Sequence, residues 1–193
     1  MRIEKGFHDR DRPTVAALYW EAFGRKLGRA LGPRDRALDF LEATLSPDNA
    51  ICARAADGGI VGVAGFKTPQ GALVVGGWRA MARVYGWPGA AWRMTLLGLL
   101  QSDVENRRFL VDGIFVAPHA RGHGIGTRLL AALAAEARAR GYDELRLEVI
   151  EENTRARALY EREGFSAIAS QSTGILRWVF GFRGATTMVR RVA

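Results

Sequence analysis

The chain has 193 residues, 48% of them apolar, and a formal net charge of +8, a profile that fits one folded domain with one substantial core. One cysteine, Cys52, excludes an internal disulfide and a cysteine-built zinc site, and three scattered histidines argue against a metal centre. The N-terminus is charged and lacks the apolar core of a signal peptide, and no apolar run reaches the roughly 20 residues that span a bilayer, so a cytoplasmic protein without stable membrane insertion is expected.

In chain order, RIEKGF reads as a short strand. Pro13 suits the first turn of a helix, PTVAALYWEAFG, with Val15, Leu18, Tyr19 and Ala22 at helical spacing and Gly24 as its expected end. Pro33 opens a second helix, PRDRALDFLEATL. AICARAADGGIVGVAGFK reads as a hairpin around Asp57-Gly58-Gly59. A tryptophan-rich segment follows over about 69–107, with Trp78, Met81, Ala82 and Tyr85 on one helical face, and Pro88 starts a second apolar stretch. RRFLVDGIFVAP is the strongest strand signal, and Gly113 inside it predicts a bulge or a close backbone approach.

A glycine-rich loop, RGHGIG, leads from that strand into a helix whose Leu129, Leu130, Leu133, Ala134 and Ala137 share one face. Gly141 is the expected C-terminal cap. ELRLEVI alternates as a half-buried strand, and NTRARALYEREGF is a helix with Asn153 at its N-cap. SAIASQS and GATTMVRRV complete the chain as two strands. The order predicts an α/β fold with a mixed sheet of about seven strands flanked by helices, in a single domain over 1–193.

A strand running into a glycine-rich turn and a helix start presents free backbone N–H groups and the positive end of the helix dipole, which together bind phosphate. Arg121 adds a fixed charge. The loop is not a Walker loop, and Thr127 stands where a dinucleotide fingerprint needs its third glycine. On its own it reads equally as a tight turn or as an anion cradle.

Arg121-x-x-Gly124-x-Gly126 after IFVAP resembles the acetyl-CoA-binding motif of the GNAT acetyltransferase superfamily. The second half of the resemblance is NTRARALYEREGF, and the two motifs together cover about Phe109 to Phe165. The resemblance implies an enzyme that moves an acetyl group from acetyl-CoA to a primary amine by direct attack in a ternary complex, with no metal. It implies a pyrophosphate cradle at Arg121, Gly122, His123, Gly124, Ile125, Gly126 and Thr127, mostly through backbone N–H groups. It sets the pantetheine arm along Ile114, Phe115 and Val116, with Asn153 close by. Asn153 equally caps its helix, and the two roles are compatible.

Attack by an amine requires a base, because an ammonium has no lone pair to offer. A developing oxyanion requires donors already in place, here a backbone N–H near Val116, and the leaving thiolate is helped by an acid. Tyr160 stands at the family position of the acid, and its alternative role is packing within its helix. Asp112 is the candidate base, with a structural carboxylate as its alternative and Glu148 as a rival.

The family joins its third and fourth strands by a short turn, whereas here some forty residues intervene. Three readings of this insert stay open: a helical hairpin enlarging the core or a dimer interface, a wall of the acceptor pocket, or a membrane-surface contact. ILRWVFGFRG near the C-terminus is the other expected border of the acceptor site. If both segments line it, the acceptor is a small molecule or peptide with an apolar part. A non-catalytic acyl-CoA-binding module on the same fold is the alternative function. A nucleic-acid partner is not expected, since the positive charge is dispersed and no recognition motif is present.

Overall fold

In the computed structural model, which describes residues 1–98, 108–172, 174 and 181–192, seven strands form one open sheet among the described residues. They are β1 (Arg2–Lys5), β2 (Ala50–Arg54), β3 (Ile60–Lys67), β4 (Phe109–Val116), β5 (Glu144–Ile150), β6 (Ser166–Ser172) and β7 (Gly184–Arg191). Their spatial order is β1-β2-β3-β4-β5-β7-β6. The β4–β5 pair is parallel and every other neighbouring pair is antiparallel. The mixed sheet therefore matches the sequence reading. β5 alternates as expected, with Leu145, Leu147 and Val149 buried and Glu148 exposed. β2 and β3 are buried almost throughout because helices cover both faces of the sheet.

The helices are α1 (Arg12–Leu31), α2 (Arg34–Thr44), α3 (Trp78–Gly98), α4 (Ile125–Ala139) and α5 (Thr154–Arg162). On one face Leu129, Leu130, Leu133, Ala134 and Ala137 of α4 join Phe66, Phe109, Leu145 and Tyr160 in one apolar cluster. On the other, Val15 and Ala16 of α1 and Leu41 of α2 pack with Cys52, Val63 and Phe115. Strand alternation divides β4 between them: Phe115 points to the α1 side, while Ile114 and Val116 pack against the α4 cluster.

α1 does not stop at Gly24. A Cβ at that position would sit 2.9 Å from the Trp20 indole, one turn earlier, so Gly24 is there for close packing inside the helix. The helix continues to Leu31, and the Gly32 amide closes it by donating to the Gly28 carbonyl at 2.8 Å. Pro33 then serves as the N-cap residue of α2.

The insert before β4 is helical where it is described. α3 is interrupted at Gly86, whose φ is 73°, and Pro88 lies just beyond this break. It docks on the junction of α1 and α2. The Tyr85 hydroxyl donates to the Leu31 carbonyl, and Arg93 Nη2 donates to the Gly32 carbonyl at 3.1 Å. The Arg93 guanidinium lies 4.1 Å from the centre of the Tyr85 ring. Leu31, Ala37, Phe40, Met81, Tyr85 and Ala90 form a third buried cluster there. The insert thus enlarges the core. Residues 99–107 of the insert and 175–180 of the expected acceptor border lie outside the described residues.

Candidate active site

Two irregularities of β4 make the site. The first is a bulge. Gly65 pairs with Gly113 and the next pair is Phe66 with Val111, so Asp112 is an extra residue in β4. The second is a splay. β4 and β5 pair at Phe109–Leu145 and Leu110–Arg146, and although both strands run on to Val116 and Ile150, the ladder between them goes no further among the described residues. From Val111 onward β4 therefore presents a backbone edge to the gap, next to the bulge that displaces Asp112.

Gly113 has the close approach predicted for it. A Cβ there would lie 2.6 Å from the tip of the Phe23 ring, so only glycine lets α1 descend onto β4 at this point. Phe23, Tyr19 and Phe115 form an aromatic set, with centroids 4.8 Å apart for Tyr19–Phe23, 5.7 Å for Tyr19–Phe115 and 5.9 Å for Phe23–Phe115. Burial pushes the Tyr19 phenol well above its ordinary value, and the charge of Asp112 adds to the shift. Asp112 is itself exposed. An aromatic wall thus stands beside a solvent-accessible carboxylate. The sequence reading did not single out Tyr19 or Phe23 as site residues. Their signal was the apolar i, i+4, i+8 run Val15, Tyr19, Phe23, which shows a buried helix face but not what that face covers.

Beyond β4 the chain makes a tight turn at Pro118–Ala120 and enters the glycine loop. Gly122 and Gly124 have φ of 86° and 71°, a left-handed conformation that side chains disfavour, and the space a Cβ would occupy is open at both. Gly126 serves a different purpose. A Cβ there would meet Leu159 Cδ2 of α5 at 2.8 Å, so this glycine lets the two motifs touch. The Arg128 amide reaches the Gly124 carbonyl at 3.1 Å, which leaves the amides of Ile125, Gly126 and Thr127 ahead of the helix ladder. Ile125 itself is buried, and Thr127 is exposed.

Arg121 is exposed but tied back at its guanidinium. Its Nε donates to the Val116 carbonyl at 3.0 Å, and its Nη2 lies 3.5 Å from Glu21 of α1. It ties the end of β4 to α1 and holds positive charge beside the loop. His123 is exposed, and its Nδ1 lies 3.0 Å from the Arg121 carbonyl, against its own loop.

Asn153 caps α5, accepting through Oδ1 from the Ala156 amide at 3.1 Å. Tyr160 is buried, with its ring 5.8 Å from that of Phe165. Burial pushes its phenol up to about 12. Glu148 is exposed on β5, with Oε1 3.4 Å from Arg146 Nη2. Tyr160 thus lies in the α4 cluster, whereas Asp112 is exposed at the bulge of β4, close enough for its charge to act on Tyr19 of α1. Among the described residues, no group of three or more His, Cys, Asp or Glu side chains is placed to hold a metal ion.

Residues 12–165 match the model of the acetyltransferase (GNAT) family. The chain is 36% identical over 78 residues to the uncharacterized N-acetyltransferase YhfO of Bacillus subtilis, a match covering 40% of this chain and 50% of that protein. It is 32% identical over 111 residues to a mouse thialysine N-epsilon-acetyltransferase, covering 58% of this chain and 55% of that protein. The chain thus spans about half the length of these relatives. A solved acetyltransferase structure superposes over the full length of both chains with a TM-score of 0.66 at 19% identity, which shows the shared fold.

Proposed function

The chain belongs to the acetyltransferase (GNAT) family, and on that premise we propose that it transfers an acetyl group from acetyl-CoA to a primary amine by direct attack in a ternary complex. The observation that carries this reading is the gap between β4 and β5, which opens beside the glycine loop and the N-terminus of α4. The donor set fits a pyrophosphate. Unladdered amides at Ile125, Gly126 and Thr127, the helix dipole and the Arg121 charge favour an anion. The open space above Gly122 and Gly124 lets one approach the backbone. The edge of Ile114 to Val116 that β5 does not pair, with its Val116 carbonyl taken by Arg121, is suited to hold an extended arm by backbone hydrogen bonds, and Asn153, which caps α5 after β5, is proposed to lie close to that arm.

Acetyl-CoA supplies an activated acyl group, and the chain's own residues supply position and proton traffic. Asp112, lifted out of the ladder by the bulge, takes the proton of the incoming ammonium directly or through a water. A backbone N–H near Val116 serves the developing negative charge. Tyr160 keeps its proton far above neutral pH and gives it to the leaving thiolate. The Tyr19, Phe23 and Phe115 rings beside Asp112 favour an acceptor with an apolar part, either a small molecule or a peptide.

One observation favours a second reading, an acyl-CoA-binding module without catalysis: Tyr160 is buried in the core, where a phenol also serves packing alone. Free-thiol release from acetyl-CoA with a panel of amines separates the two. The proposal expects release that depends on the amine and is faster with apolar or aromatic amines than with small polar ones. Binding of acetyl-CoA without release for any amine favours the module, and a preference for small polar amines contradicts the apolar acceptor.

A further inference from the structure

We propose that the broken helix α3 is a docking face for an anionic lipid surface. Among the described residues, four of the six exposed large apolar side chains lie on α3 or just before it, with Met1 and Ile168 elsewhere. Val75 is 58% exposed, Trp78 39%, Trp87 66% and Trp92 47%. The Trp78 and Trp87 rings lie 5.9 Å apart across the Gly86 break, so two of the tryptophans form one patch. The core does not require them, since α3 uses Met81, Tyr85 and Ala90 for that. An apolar patch of this kind on a folded protein marks a surface that meets another surface.

The charge around the patch selects the partner. From Gly58 to Gly98 the chain contains no Asp or Glu, while Arg79 and Arg83 are exposed on α3. Arg93 stacks on the Trp92 ring, with its guanidinium 4.2 Å from the ring centre. From α2, Arg36 and Asp39 both act on Tyr85, and Arg36 also acts on Arg93. Indole rings beside guanidinium groups suit the headgroup layer of a bilayer, and the excess of cations favours anionic headgroups. A second copy seated on the same patch by a two-fold axis would set arginines against arginines with no carboxylate of α3 to meet them. The face is mounted firmly, because Tyr85 and Arg93 bond the ends of α1 and of the following turn. No helix among the described residues is long and apolar enough to cross a membrane, so this contact is peripheral.

The test is flotation of the full chain with phosphatidylcholine vesicles and with vesicles of phosphatidylcholine mixed with phosphatidylglycerol, read alongside tryptophan emission. The expected result is retention on the anionic vesicles with a blue shift, weak retention on the neutral ones, and release by salt. A Trp87→Ser/Trp92→Ser variant and an Arg79→Gln/Arg83→Gln variant, both exposed positions, each lose at least about tenfold in retention while keeping the wild-type melting curve. No retention on anionic vesicles, or equal retention on both compositions, overturns the proposal. So does a wild-type dimer, seen by sedimentation, that Trp87→Ser dissociates without any vesicle binding, since that gives the face to a second copy.

Discussion

Tyr160 bears the sharpest chemical claim at the scale of single residues. Its phenol is held above its ordinary value of 10.0 by burial, so it is protonated across the whole working range. The sign is simple: the acid form is present below about 12 and lost only above it. Deprotonation of Tyr160 therefore contributes no alkaline limb to kcat below about pH 10. Tyr160→Phe is expected to lower kcat by about 100-fold, the scale of one general acid, while the affinity for acetyl-CoA stays as in wild type. A kcat within about twofold of wild type removes Tyr160 as the acid. Much at this scale was legible in the sequence. The glycine loop joins β4 to α4 and Asn153 caps α5, as the sequence implied. The separate task of Gly126 was not legible, because it depends on Leu159 from another helix. Nor was the wall of Tyr19 and Phe23, since nothing local in α1 reveals that β4, some ninety residues later, will pass beneath it through Gly113.

Among elements, α3 and the β1–β2 edge make separate predictions. α3 is attached largely through the Phe40–Tyr85 cluster, with ring centroids 6.3 Å apart and Phe40 buried. Phe40→Ala should destabilise the fold by about 3–5 kcal/mol in a denaturant titration, with acetyl-CoA binding retained at low temperature. The edge is held by Arg54, which donates to Glu4 and to Asp11, the latter at 2.6 Å. Those hydrogen bonds hold both carboxyls below their ordinary values of 4.5 and 3.8, although the burial that accompanies them works the other way. Lowered carboxyl pKa values add stability above the ordinary values, and that stability is lost as pH falls through the folded-state values. Arg54→Gln should therefore flatten the acid end of the stability profile as well as lower stability at neutral pH, as followed by thermal melts from neutral to acid. An unchanged acid slope would show that the pair contributes nothing. Helix and strand periodicity carried most elements, yet α1 overran its expected end. A glycine reads as a stop by propensity, but at Gly24 the close packing of Trp20 one turn earlier in the same helix needs it.

For the molecule as a whole, the elements of the proposed donor side were legible and those of the proposed acceptor side were not. Two motifs flanking β5 announce the splayed strands because backbone geometry leaves a trace in glycine spacing. The proposed acceptor side rests on side chains of α1 against β4, so it has no local signature. The insert was legible as helical from its Trp78, Met81, Tyr85 spacing, but its docking on the α1–α2 junction was not, since it rests on Leu31, Gly32 and Phe40 far away in the chain. The gap between β4 and β5 and the loop from Arg121 to Thr127 are proposed to hold acetyl-CoA. The most direct measurement is a calorimetric titration of acetyl-CoA into the wild-type chain, a Gly124→Val variant and a Trp87→Ser variant. Saturable binding at one site is expected, at least about tenfold weaker in Gly124→Val, a loss of about 1.4 kcal/mol, and unchanged in Trp87→Ser. Absence of saturable binding to the wild type, or equal affinity in a folded Gly124→Val, would contradict it.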